Sequence, residues 1–97
     1  MKTKTPAEKT IENYLKKRVR EIGGKCIKMI PTYENGIPDR QVLYKGRAIF
    51  VELKKQGEEA EPLQVVYMRE LEKHGFETCV IDSKEQIDAF IKALQNA

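Results

Sequence analysis

No run of about 18 apolar residues occurs in this sequence, so no membrane span is expected. The opening stretch, MKTKTPAEKT, has no apolar core, so no secretory signal is expected either. Cysteine is scarce. Cys26 and Cys79 lie far apart and fit no metal or redox spacing, which predicts two buried thiols in a reducing, cytoplasmic setting. The single histidine, His74, precedes a helix-ending glycine and reads as structural. Internal repeats and low-complexity tracts are also missing.

What is present fits one small domain spanning residues 1–97. A chain of this size buries roughly 60–65% of its unfolded surface, so association would help it. The formal net charge is only +3, but it is unevenly spread. Residues 1–56 hold 14 Lys and Arg against 6 Asp and Glu; residues 57–97 hold 4 against 9. A basic half beside acidic residues suits a polyanion held over a cation site.

Thr5-Pro6-Ala7-Glu8 predicts a helix start, with a Thr cap, Pro at the first turn and Glu three residues on. Ile11, Tyr14, Leu15, Val19 and Ile22 form its apolar stripe, and Gly23-Gly24 ends it. Lys25 to Ile30, Gln41 to Tyr44 and Arg47 to Lys54 read as strands, the last two joined at Lys45-Gly46. Pro62 opens a second helix that ends at Gly75, with Leu63, Val66, Tyr67 and Leu71 as its buried face. Phe76 to Ile81 is a strand. Ser83 to Gln86 is a further capping box, and Ile87, Phe90, Ile91 and Leu94 stripe the last helix. The expected class is α/β in the order α-β-β-β-α-β-α, a mixed sheet flanked by helices.

The hairpin GIPDRQVLYKGRAIFVELKK is where chemistry enters. Strand alternation places Phe50, Glu52 and Lys54 on one face. Folding back at Lys45-Gly46 brings Asp39 towards Glu52, and Pro38 stiffens the backbone just before it. Converging carboxylates repel unless a cation or proton joins them. As hard oxygen ligands they suit Mg²⁺ or Mn²⁺. The pattern therefore predicts a divalent-metal site with a lysine at its edge. Lys9, Lys16 and Arg20 lie within about 40° of one another on the first helix, away from its apolar stripe. They are candidates for a phosphate backbone, with Tyr33 as a candidate contact to a sugar or base.

The segments GIPDRQVLY, AIFVELKKQG and EPLQVVYMRELEKHG together resemble the VRR-NUC branch of the PD-(D/E)xK nuclease superfamily, over roughly residues 11–82. Two positions depart from its pattern: Glu61 replaces the usual Ser or Thr cap, and Tyr67 stands where Trp is common. The resemblance implies a restriction-endonuclease-like core. It implies that Asp39, Glu52 and the Leu53 carbonyl hold the metal. Lys54 would orient the attacking water, Gln64 would support the lysine or the scissile phosphate, and Glu12 matches an acid on the family's first helix.

The function so implied is metal-dependent phosphodiester hydrolysis of DNA, leaving 5′-phosphate and 3′-hydroxyl ends. Small members of the branch resemble junction-resolving enzymes of phage-like origin. That makes a homodimer nicking four-way junctions the leading expectation. A flap- or single-strand-directed nuclease, and a silent nucleic-acid-binding module, are the alternatives.

Overall fold

The computed structural model describes residues 4–30 and 35–96. Tyr33 lies outside the described residues. The order is α1 (Pro6–Glu21), β1 (Lys25–Lys28), β2 (Arg40–Tyr44), β3 (Arg47–Leu53), α2 (Pro62–Lys73), β4 (Glu77–Ile81) and α3 (Lys84–Gln95), the order expected from the sequence. The four strands form one mixed sheet, β1-β2-β3-β4. The first three are antiparallel, and β4 runs parallel to β3. A parallel neighbour requires a crossover, and α2 supplies it.

The two-residue turn between β2 and β3 fixes the register. Lys45 and Gly46 both have positive φ, 45° and 80°, the conformation that matches the right-handed twist of flanking strands. Tyr44 pairs with Arg47, and the ladder continues to Arg40 opposite Val51. A slip of one residue would turn every side chain of β3 to the wrong face.

One face of the sheet carries Val42, Ile49, Val51, Leu53 and Ile81. These pack against Ile11, Leu15 and Val19 of α1 and Ile87, Ile91 and Leu94 of α3. This is the main core, and the stripes of α1 and α3 follow the predicted spacing. On α1 the Thr5 cap and Glu8 form the expected reciprocal box. At α3 only half of the expected box forms: Ser83 Oγ accepts from the Gln86 amide, while Gln86 Oε1 accepts from the Asp82 amide instead of that of Ser83. Ser83 thus caps this end, and the Gln86 side chain ties back one residue farther, to Asp82.

The buried face of α2 differs from the expectation. Leu63 and Val66 are 60% and 64% exposed, while Gln64 and Met68 are buried and Tyr67 and Leu71 are half-buried. The helix lies over the face of β3 that carries Glu52, and Gln64 donates to Glu52. That bond sets the roll of the helix. The stripe becomes 64, 67, 68 and 71, and Val66 sits about 200° away from Gln64. Phe50 packs edge-to-face with Phe76, centroids 5.7 Å apart, beyond the end of α2.

Both cysteines are free and half-buried. Burial raises the Cys26 thiol and pushes that of Cys79 up to about 12, so neither presents a ready thiolate at neutral pH. No helix among the described residues is long and apolar enough to cross a membrane.

Candidate active site

The β2–β3 register delivers the central pair. Arg40 faces Val51, so Asp39, the next residue outward, stands opposite Glu52. Directly opposed residues of an antiparallel pair project to the same face. Asp39 is held in place on three sides. Its backbone carbonyl accepts from the Met29 amide at 2.9 Å. Its carboxylate Oδ2 accepts from the Leu53 amide at 2.9 Å. Its neighbour Pro38 is fully buried. The loop that carries it is seated on α2: Gly36 has φ +84°, and a Cβ there would lie 2.4 Å from the Leu63 carbonyl oxygen. Only glycine permits that approach.

Glu52 is 1% exposed, as is Lys54 two residues on, just past the end of β3. Lys54 Nζ is 3.3 Å from Glu52 Oε2. The same oxygen accepts from Gln64 Nε2 at 2.6 Å. Gln64 Oε1 in turn accepts from the Glu61 amide at 2.8 Å, a donor at the start of α2 that the helix's own ladder does not serve. A carboxylate needs the NH₂ end of the amide, and the helix end needs its oxygen, so both partners fix the same orientation. Glu61 itself stands where a Ser or Thr cap is usual, and Gln64 supplies the return bond.

Asp39 and Gln64 open onto a cleft of about 440 Å³, which Lys4, Lys9, Glu12, Lys28 and Pro38 also line. Glu52 does not itself line the cleft but is bonded to Gln64, which does. Lys4 Nζ pairs with Asp39 Oδ1 at 2.9 Å. Of the basic residues foreseen for a phosphate backbone, Lys9 is on the cleft, while Lys16 and Arg20 are exposed farther along α1.

Glu12 is buried at the cleft margin and accepts from Arg40 Nε at 2.8 Å. Arg40 Nη1 also reaches the Cys26 carbonyl at 3.4 Å. The sequence reading missed Arg40. Its signal was alternation: an arginine on the apolar face of a strand, next to Val42, requires a buried counter-charge. Lys4 was missed as well, because its contact with Asp39 spans two segments remote in sequence.

Among the described residues no group of three or more His, Cys, Asp or Glu gathers as a ready metal cage. The donor set here is two opposed carboxylates. It fits a hard cation of the magnesium type, which binds through one or two carboxylates and keeps the rest of its shell for water and phosphate. An ammonium already pairs with Asp39, which marks the place as one where positive charge is favoured.

No family model matches the chain. It is 39% identical over 79 residues to "Putative nuclease p44" of Acyrthosiphon pisum secondary endosymbiont phage 1, across 80% of this chain and 85% of that protein. A solved structure described as "VRR_NUC domain" superimposes with a TM-score of 0.84 at 29% identity, covering 91% of this chain and 97% of that one.

Proposed function

The chain belongs to the VRR-NUC family, with a nuclease fold of the PD-(D/E)xK type, and from that premise we propose that it is a structure-specific DNA endonuclease dependent on Mg²⁺ or Mn²⁺. The observation that carries this reading is the opposition of Asp39 and Glu52 across the hairpin, with Lys54 and Gln64 on the same side.

In this reading Asp39, Glu52 and the Leu53 carbonyl hold the ion. Bound there, it would lower the pKa of a water and neutralise a nonbridging phosphate oxygen. The chain's own groups do the rest. The Lys54 ammonium, kept beside Glu52, donates to the incoming water or to the phosphate and balances charge as it develops. Gln64, tied to the start of α2, holds Glu52 in one rotamer and supports Lys54 or the phosphate through its amide. Arg40 neutralises Glu12, so that acid shapes the cleft without adding a further uncompensated negative charge to it. Lys9 and Lys28 sit on the rim, where a phosphate backbone would pass. Attack in line leaves 5′-phosphate and 3′-hydroxyl ends.

The substrate we favour is the four-way junction, cut by a two-fold homodimer. One chain offers one site, resolution needs two symmetric cuts, and a two-fold dimer matches that symmetry. The interface is sought at the sheet edges, where Ile27 of β1 and Val80 of β4 stay exposed, because α3 turns its apolar stripe into the core. The test compares four-way, flap, duplex and single-stranded DNA with Mg²⁺ or Mn²⁺, alongside light scattering at micromolar protein. A dimer that cuts junctions best supports the proposal. A monomer that prefers flaps contradicts it and leaves the general nuclease reading in place.

A further inference from the structure

We propose that Lys4 is a positioning residue for the metal site: it holds the outer oxygen of Asp39 while no ion is bound, and exchanges to a DNA phosphate when the ion takes that oxygen. The proposal rests on the reading of Asp39 as a metal ligand, given above.

Three features of the cleft lead to it. First, the two oxygens of Asp39 have different partners. Oδ2 accepts from the Leu53 amide inside the hairpin, and Oδ1 pairs with Lys4 at 2.9 Å. With Oδ2 engaged by the Leu53 amide, a cation is left with Oδ1, and there it meets an ammonium. The two compete for that oxygen, because like charges at that spacing repel.

Second, the pair is more than a loose surface contact. The side chains of Lys4 and Asp39 are 16% and 22% exposed. Lys4 directly precedes Thr5, whose capping box with Glu8 fixes the start of α1. The backbone from which Lys4 reaches out is thus anchored next to the cleft that its side chain lines.

Third, the place to which Lys4 can move is provided. Lys4, Lys9 and Lys28 all line the cleft. A phosphate there offers Lys4 a new partner as Asp39 is taken. The consequence is coupling. DNA draws Lys4 off the carboxylate and so favours the ion, and by linkage the ion favours DNA to the same extent.

The experiment titrates Mg²⁺ alone by calorimetry into the full chain, Lys4→Ala, Lys4→Arg and Asp39→Asn. It then measures binding of four-way DNA in EDTA at several salt concentrations. Partly exposed ion pairs are worth up to about a 5-fold change in an equilibrium. Lys4→Ala should therefore bind Mg²⁺ about 2- to 5-fold more tightly than the unaltered protein, and Lys4→Arg should restore the ordinary affinity. Asp39→Asn should lose Mg²⁺ and, with Lys4 released to phosphate, bind DNA with a salt slope steeper by about one. Adding Lys4→Ala to it should remove that gain. A structural role for Lys4 would not raise metal affinity. If Lys4→Ala binds Mg²⁺ no better than the unaltered protein while Asp39→Asn has lost it, the inference about Lys4 fails alone. If Asp39→Asn keeps full Mg²⁺ affinity, the metal-site reading fails and this inference goes with it.

Discussion

Replacing Gly36 by alanine should damage both stability and the site, and the structure supplies the size of the effect. The residue has φ +84°, a left-handed conformation that costs an L-residue roughly 1–2 kcal/mol. The added Cβ would also lie 2.4 Å from the Leu63 carbonyl oxygen, 2.7 Å from its carbon and 3.1 Å from the Gln64 nitrogen. All three are backbone atoms at the start of α2 and cannot rotate away. Overpacking of this kind typically costs a further 1–3 kcal/mol, roughly. Gly46 is the control: it has φ +80°, yet a Cβ there meets nothing within 4 Å. Gly46→Ala should therefore lose only the conformational part, about 1–2 kcal/mol, and Gly36→Ala about 2–5 kcal/mol. Urea denaturation of both variants measures the difference. For a domain of this size it corresponds to a further fall in Tm of at least about 4 °C. Because α2 must shift to admit the methyl, Gln64 should leave Glu52, and cleavage should drop in Gly36→Ala at temperatures where the variant is still folded. Equal destabilisation by the two alanines would show that the loop does not bear on α2 as described.

Three further outcomes are expected. Lys54→Ala should keep Mg²⁺ binding but lose cleavage by at least about 10²-fold, the lower range for a single catalytic group; calorimetry showing lost metal would make Lys54 a structural part of the site instead. Arg40→Met should cost about 3–5 kcal/mol by stranding Glu12 in a buried place, and the double variant Arg40→Met/Glu12→Leu should recover most of it in denaturant titration. Cys79 should resist alkylation in the folded protein at pH 8, because a thiol raised to about 12 is ionised there in only about one molecule in 10⁴, and reaction should quicken only towards that pH or on unfolding.

Much of the fold was legible because local signals agreed. Pro6 behind a Thr cap starts α1, Lys45-Gly46 turns the hairpin, and Ile49, Val51 and Leu53 alternate into the core. From the turn and the alternation alone, Asp39 could be set opposite Glu52, with Lys54 on the same face. The roll of α2 was not legible, since its buried stripe begins with a glutamine. Periodicity points the apolar residues inward, whereas the partner awaiting the helix is a buried carboxylate. Burial of Gln64 is favourable only because both ends of its amide are satisfied, a fact that belongs to the folded arrangement. The Arg40–Glu12 pair escaped notice for a related reason. Alternation places Arg40 on the α1 side, but nothing local says which residue of α1 meets it. Lys4 was hidden further still, as one lysine among the many in the basic half until the fold set it against Asp39.

In the proposed mechanism Asp39 and Glu52 hold the divalent ion that hydrolysis requires. Its most direct test is cleavage of labelled four-way DNA by purified Asp39→Asn and Glu52→Gln proteins. Each should first be shown by circular dichroism to be folded, and then be titrated with Mg²⁺. Each substitution removes a ligand charge and keeps the side chain's size. The unaltered protein should cleave in Mg²⁺ and not in EDTA, and neither variant should cleave at any Mg²⁺ concentration that supports the unaltered protein. Undiminished cleavage by either folded variant would contradict that mechanism.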